Sequence, residues 1–295
     1  MSNEIMVVNA SNAGDYALVD RNTNDAVLVA MWIAKKNSPA TKKQYQRCYD
    51  SFAAAVGVGL QEVNYSTLAA WAGGLTGSEN TRKVTISAIK ALFTFAQKIG
   101  YIRVNPAVMI EAPKAKDELA ARILTEQEVL SMIYKTDKQR DNVLLRVLYA
   151  SAGRISEVCG LTWADVQPNG DSGQVTLFGK GGKTRAVKLS KATWQALQAL
   201  RPMLCDGSEP VFVSQKGGRL DETQVHRIVT AAAQRAGIQG NVSAHWLRHS
   251  HASHALDRGA NIALVRDTLG HSSLAITSRY THAKPNESSA LHLAV

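Results

Sequence analysis

Four short stretches in the second half of the chain hold side chains that can handle an oxyanion and a nucleophile together. The first is Ala152-Gly153-Arg154-Ile155-Ser156-Glu157. The second, Phe178-Gly179-Lys180-Gly181-Gly182-Lys183-Thr184-Arg185, is rich in glycine and cations. The third is His245-Trp246-Leu247-Arg248-His249, and the fourth runs from Leu269-Gly270-His271 to Arg279-Tyr280-Thr281-His282. Guanidiniums such as Arg154 and Arg248 grip phosphate-type oxygens through paired, charge-assisted hydrogen bonds, with no need of a metal. A tyrosine such as Tyr280 is a weak nucleophile, with an ordinary pKa of ~10, so its proton must leave during attack. Each stretch alone has a plainer reading. Arg154 and Glu157 are spaced as a surface ion pair on a helix. Lys180 and Lys183 fit solvated turn lysines, His245 and Arg248 a core histidine and a helix-end cation, and Tyr280 a packed aromatic.

Those residues must be positioned by elements, and apolar spacing predicts them. Helices are expected over 25–36, from Pro39 and Thr41 through Phe52, over 66–73 and over 78–98, the last ended by Gly100. Together they make an all-helical first domain, 25–109, stopped by Asn105-Pro106. Residues 1–24 read as a poorly ordered leader, and 110–121, with a proline, mixed charges and no clear core face, as an interdomain linker. Thr125 and Glu128 form a capping-box pattern that opens a second domain, 122–295. That domain begins helical. VTLFG and RAVKL, flanking Gly-Lys-Gly-Gly-Lys, then predict a β-hairpin. Helices return over 190–200, 221–236, 249–258 and 261–269. The expected fold class is mainly α, in two domains, the second carrying a small β-hairpin. After Tyr280, Pro285 and Asn286 break any helix. The apolar Ala290, Leu291, Leu293 and Val295 are then expected to dock, on their own domain or in a groove of a neighbouring protomer.

Composition narrows the class. The 295 residues exceed what one core comfortably serves, since single cores stop growing near ~250–300 residues. The net charge of +10 and pI of about 9.6 favour a polyanionic partner, nucleic acid first, against the plainer reading of a solvated basic surface. Cys48, Cys159 and Cys205 are scattered and odd in number, without a CxxC pair, so neither a zinc site nor a disulfide framework is expected. The histidines have no HExxH-type spacing. No signal-peptide pattern opens the chain and no apolar run approaches a membrane span, so a cytoplasmic protein without membrane contact is expected.

Taken in order, these residues resemble the tyrosine recombinase (phage integrase) family, most of all its short Xer-type members. The resemblance runs from about residue 38 to 280. The family's catalytic set falls on Arg154, Lys180, His245, Arg248, His271 and Tyr280. His271 precedes Tyr280 at family-like spacing, within LGHSSLAITSRYTH, and ATKKQYQRCYDSF is similar to a helix of the family's SAM-like core-binding domain. The resemblance implies that Tyr280 attacks DNA to give a 3′-phosphotyrosine and a 5′ hydroxyl. His245 is the candidate to take the phenolic proton, and His271 would add a donor to the phosphate. The resemblance gives protonation of the departing 5′ oxygen to the hairpin lysine, matched by Lys180 with Lys183 as competitor, and it makes Glu157 a support of the site.

Cations expected to meet DNA are Lys42, Lys43, Arg47, Arg82, Lys83 and Lys90 in the first domain and Lys183 and Arg185 on the hairpin. Neither metal nor cofactor is implied. The implied partner is double-stranded DNA with a specific site, bound by a tetramer that exchanges strands through a Holliday junction and is mainly monomeric when free. Two rivals share features of this set. One is a type IB topoisomerase or telomere resolvase, with the same Arg-Lys-His-Tyr chemistry, and the other is a DNA-binding module without catalysis.

Overall fold

The computed structural model describes residues 23–113, 118–179 and 182–281. The chain divides into two compact units, Met1–Lys116 and Asp117–Val295. Most of the leader, residues 114–117 of the expected linker, Lys180 and the apolar tail lie outside the described residues.

In the first unit, short polar side chains set the helix starts. α1 (Asp25–Ala34), α3 (Tyr65–Gly74) and α4 (Glu79–Lys98) begin after Asn24, Asn64 and Ser78, whose side-chain oxygens accept from N–H groups of the first turn. α2 (Pro39–Val56) has Pro39 at its first position, where the missing N–H would have had no helical partner. Phe52 of α2 meets Trp71 of α3 edge-on at 4.9 Å and Phe93 of α4 at 5.9 Å. With Leu28, Trp32, Leu68, Ile89 and Leu92 they form the core, each side chain contributing roughly 1.5–3 kcal/mol of burial. Asp25 clamps the bundle: its carboxylate accepts from the Tyr101 hydroxyl at 2.6 Å and from the Leu60 N–H at 2.8 Å.

The second unit follows the order α5 (Glu126–Tyr134), α6 (Gln139–Ser151), α7 (Ile155–Gly160), β1 (Val166–Asn169), β2 (Ser172–Phe178), β3 (Thr184–Leu189), α8 (Lys191–Gln198), α9 (Glu222–Ala236), α10 (Ala244–Asp257), α11 (Ile262–Leu269) and α12 (Leu274–Thr277). The expected capping box is present: Thr125 Oγ1 accepts from the Glu128 N–H and Glu128 accepts from the Thr125 N–H. The sheet is antiparallel in the order β1-β2-β3, with Val175 opposite both Val166 and Val187. Leu144, Leu145 and Leu148 of α6, Val175 and Leu177 of β2, and Leu247 of α10 are among the fully buried residues of its core.

Three details depart from the sequence reading. The hairpin has a third strand, β1, hidden because Val-Gln-Pro-Asn carries no alternation; Pro168 sits on a strand that pairs on one side only. α10 starts at Ala244, five residues before the expected start. Buried residues surround it, so its sequence shows no single apolar stripe. The expected linker is anchored at both ends: Ile110 is buried in the first core, and Leu119 in a small cluster of the second unit with Ile123, Ala152, Ala252, Val265, Leu269 and Tyr280.

Candidate active site

The site is built on the tight connection between α6 and α7. Ala152 ends α6 in the left-handed region, φ 48° and ψ 28°, an uncommon conformation for a residue with a Cβ. Gly153 follows where a Cβ would lie 2.5 Å from Val158 Cγ2, so only glycine fits. Arg154 is then the N-cap residue of α7, with its side chain directed at Glu157.

Glu157 is the hub. Its carboxylate accepts from the Arg154 N–H at 2.8 Å, from Arg154 Nη1 at 2.7 Å, and from Arg185 Nη1 and Nη2 at 3.0 and 2.6 Å. Arg185, on β3, also donates Nε–H to the Thr268 carbonyl at 2.6 Å, tying the sheet to the end of α11. That approach needs Gly270: its φ of +63° ends α11, and a Cβ there would lie 3.3 Å from Arg185 Nη1.

α10 supplies a further guanidinium. Arg248 is 4% exposed and donates from Nη1 to the Ala152 carbonyl at 2.6 Å and from Nη2 to the Leu269 carbonyl at 2.5 Å. One guanidinium thus pins the residue two before Arg154 to the residue two before His271. Those two bonds leave further N–H groups of the guanidinium for an incoming oxyanion. His271 pairs through Nδ1 with Thr277 Oγ1 at 2.9 Å, and its ring stacks on Tyr280 with centroids 6.4 Å apart and planes 10° apart. Arg154, Lys183, Arg185, Gly270 and His271 line a cavity of about 310 Å³. A cavity of similar volume, about 300 Å³, lies elsewhere around Arg227 and Arg235, so size alone does not mark the site.

The charges suit an anion. Three guanidiniums, Arg154, Arg185 and Arg248, surround one carboxylate. Burial pushes Glu157 up, yet the hydrogen bonds from Arg185 and Arg154 outweigh it and hold the carboxyl at about 2. Burial, Arg154 and Arg185 bring Arg248 down to about 10, still charged at neutral pH. Burial and the same cations lower His271 to about 4, and burial, Arg248, Arg154 and Arg122 lower His245. His271 is therefore a neutral donor or acceptor, and the guanidiniums with Glu157 carry a net charge of about +2. Among the described residues, no group of three or more His, Cys, Asp or Glu side chains is placed to hold a metal ion. No helix of the described residues is long and apolar enough to cross a membrane.

The structure thus joins Arg154, Glu157 and Arg185 in one bonded network, with Arg248 bonded to the carbonyls of Ala152 and Leu269 and His271 stacked on Tyr280. Arg185, expected among the DNA-contacting cations, has its Nε, Nη1 and Nη2 engaged inside the protein, and its side chain is only 11% exposed. Lys183 is exposed beside the cavity, and its carbonyl accepts from the Gly179 N–H at 2.7 Å. In the first unit Lys42, Lys43, Arg47 and Lys83 are exposed, whereas Arg82 is half-buried. Lys90 donates to the carbonyls of Val108 and Ile110. One residue escaped the sequence reading. Among the described residues, the partner of the Tyr280 hydroxyl is His249 Nδ1, at 2.8 Å, and not His245. The signal was available: His245 and His249 are four apart, on one face of α10, which begins ahead of both.

Solved structures share this arrangement of a helical unit and a mostly helical unit. A lambda integrase tetramer bound to a Holliday junction matches with a TM-score of 0.74 at 16% identity, covering 92% of this chain and 81% of that one. The recombinase XerH in a post-cleavage complex with a palindromic difH substrate matches with a TM-score of 0.71 at 22% identity, covering 90% and 83%. Sequence relatives define the class, a tyrosine recombinase. The phage integrase family model matches residues 122–287. Tyrosine recombinase XerC of Corynebacterium efficiens is 34% identical over 258 residues, 83% of this chain and 81% of that protein. Tyrosine recombinase XerD of Neisseria meningitidis serogroup B is 32% identical over 274 residues, 88% and 92%. The chain belongs to the phage integrase family, and it is an enzyme of site-specific DNA recombination that cleaves and rejoins strands. These relatives favour recombination over the topoisomerase or telomere-resolvase reading.

Proposed function

We propose that Tyr280 attacks the scissile phosphate of a specific duplex site, giving a 3′-phosphotyrosine and a free 5′ hydroxyl. The observation that carries this reading is the clustering of Arg154, Arg248, His271 and Tyr280, with excess positive charge. Attack builds negative charge on the non-bridging oxygens, and the unused N–H groups of Arg154 and Arg248 meet it. With Thr277 donating to Nδ1, His271 presents an Nε2–H to the same phosphate. His245, one turn before His249 with its ring centroid 6.2 Å away, takes the phenolic proton once Tyr280 has moved to the phosphate. The departing 5′ oxygen needs a proton, which the hairpin lysine Lys180 supplies, with Lys183 as the alternative donor. Glu157 acts through the arginines it orients.

The phosphotyrosyl ester conserves the energy of the broken bond, so a 5′ hydroxyl from a second duplex can reverse it without ATP. Two rounds exchange both strand pairs, which calls for four protomers on two sites and a Holliday junction between the rounds. The lambda integrase tetramer on such a junction supports that arrangement by fold. The free protein is then mainly monomeric and assembles on DNA. Three unpaired cysteines, two of them buried, suit a cytoplasmic setting.

Tyr280→Phe tests the core of this proposal on a nicked suicide substrate, which traps the covalent complex. The variant loses one oxygen, so binding should persist while no adduct forms. An adduct at wild-type yield refutes the assignment. Mass measurement of paired-site complexes should give four chains on two duplexes.

A further inference from the structure

The nucleophilic oxygen is already engaged in the free protein. His249 Nδ1 lies 2.8 Å from the Tyr280 hydroxyl, with ring centroids 5.8 Å apart. The phenol stacks on His271 and packs in the cluster with Ala252, Val265 and Leu269. Tyr280 is only 6% exposed. A phosphate of duplex DNA cannot reach an oxygen held in this way, so the hydroxyl must leave His249 before it attacks.

We propose that His249 is a positioning residue that latches Tyr280 in a resting place, and that release of this one hydrogen bond is part of the step that frees the nucleophile. Nothing in the phosphate grip needs His249: Arg154, Arg248 and His271 are held by Glu157, Ala152, Leu269 and Thr277 instead. The contrary role, a base taking the proton directly, fits the surroundings poorly. Burial, His245, Arg248, Arg122 and Arg279 lower His249 to about 4. Burial raises the Tyr280 phenol above its ordinary value, against the pull of Arg248 and Arg279. Transfer between them as placed is unfavourable by more than ~10⁶-fold. The pair is therefore a neutral hydrogen bond between phenol and imidazole, suited to storage.

The inference rests on Tyr280 being the nucleophile, which the Tyr280→Phe adduct assay decides separately. The test of the latch is single-turnover adduct formation on the nicked suicide substrate, with wild type, His249→Ala and His249→Asn at saturating protein. One neutral hydrogen bond is worth a factor of roughly 2–10, so His249→Ala should form adduct faster by that factor with unchanged DNA affinity. Nitration of Tyr280 by tetranitromethane in the DNA-free protein, read by mass spectrometry, should accelerate in parallel. His249→Asn carries an amide oxygen near the Nδ1 position and should return both readouts toward wild type. If the alanine variant unfolds early, His249→Gln replaces it, because its oxygen reaches the Nε2 position and leaves Tyr280 unlatched. An adduct rate that is unchanged or slower, or a Tyr280 no more open to nitration, overturns the latch. If Tyr280→Phe still forms adduct, the nucleophile assignment fails instead.

Discussion

Glu157 is the single carboxylate among three guanidiniums, and its side chain is 2% exposed, so its proton equilibrium doubles as a stability term. The folded protein holds the carboxyl at about 2 against an ordinary 4.5. Between those values the unfolded chain binds a proton that the folded one does not. The stabilisation is therefore complete above about pH 4.5 and is lost as pH falls to about 2, a contribution of order 3 kcal/mol. Glu157→Gln should lower stability at pH 7 by about 3–5 kcal/mol, since it leaves Arg185 and Arg154 short of their counter-charge. It should also flatten the loss of stability between pH 4.5 and pH 2, and denaturant melts across that range measure both effects. A Glu157→Gln profile parallel to wild type would remove Glu157 from its place as hub. At this scale the sequence was informative about residue types and blind to partners. Arg154, Arg248 and Tyr280 stood out because few plain structural roles want them in that order. Nothing in Thr184-Arg185-Ala186 says that the guanidinium turns inward to Glu157, because that choice is made by the end of α11, far along the chain.

Elements place those residues, and two places make informative tests. Gly153 lies between the left-handed Ala152 and the N-cap Arg154, with no room for a Cβ beside Val158 and Ser151. Gly153→Ala should destabilise by about 1–3 kcal/mol through overpacking. Because the shift would displace Arg154, single-turnover cleavage should fall more than the fraction unfolded explains. The second place is the turn between β2 and β3, which carries the two competing lysines. If Lys180 protonates the leaving oxygen, Lys180→Ala should be slow on ordinary DNA and recover on a substrate with a 5′-bridging sulfur, since a thiolate leaves without a proton. Rescue of Lys183→Ala alone would move the role to Lys183. The hairpin was legible from period-two alternation and the long α4 from its apolar face. β1 and the start of α10 were not, since a four-residue strand and a helix surrounded by protein both lack the periodicity that sequence reading depends on.

Across the whole molecule the positive charge is divided evenly. Residues 1–116 hold 13 Lys and Arg against 8 Asp and Glu, and residues 117–295 hold 21 against 16, an excess of 5 in each unit. Both units are thus provided for contact with a polyanion, which a single basic tail would not do. A protein that neutralises several phosphates releases condensed counterions, so the logarithm of its affinity falls linearly with the logarithm of salt, by about 0.9 for each contact on duplex DNA. Site binding should accordingly weaken by about 10³–10⁵ between 50 and 200 mM salt if six to ten phosphates are contacted. The structure separates the cations that can contribute from those that cannot. Lys42, Lys43 and Arg47 are exposed on α2, and each alanine variant should lower the salt slope by up to about 1. The Lys90 amine is already held by the carbonyls of Val108 and Ile110. Lys90→Ala should therefore leave the slope unchanged, and any weaker binding should trace to a lower melting temperature. Fluorescence anisotropy with a labelled site, over a salt series for each variant, reads the slopes directly. A slope lowered by Lys90→Ala and untouched by all three α2 variants would count against α2, and for α4, as the face of the first unit that meets DNA.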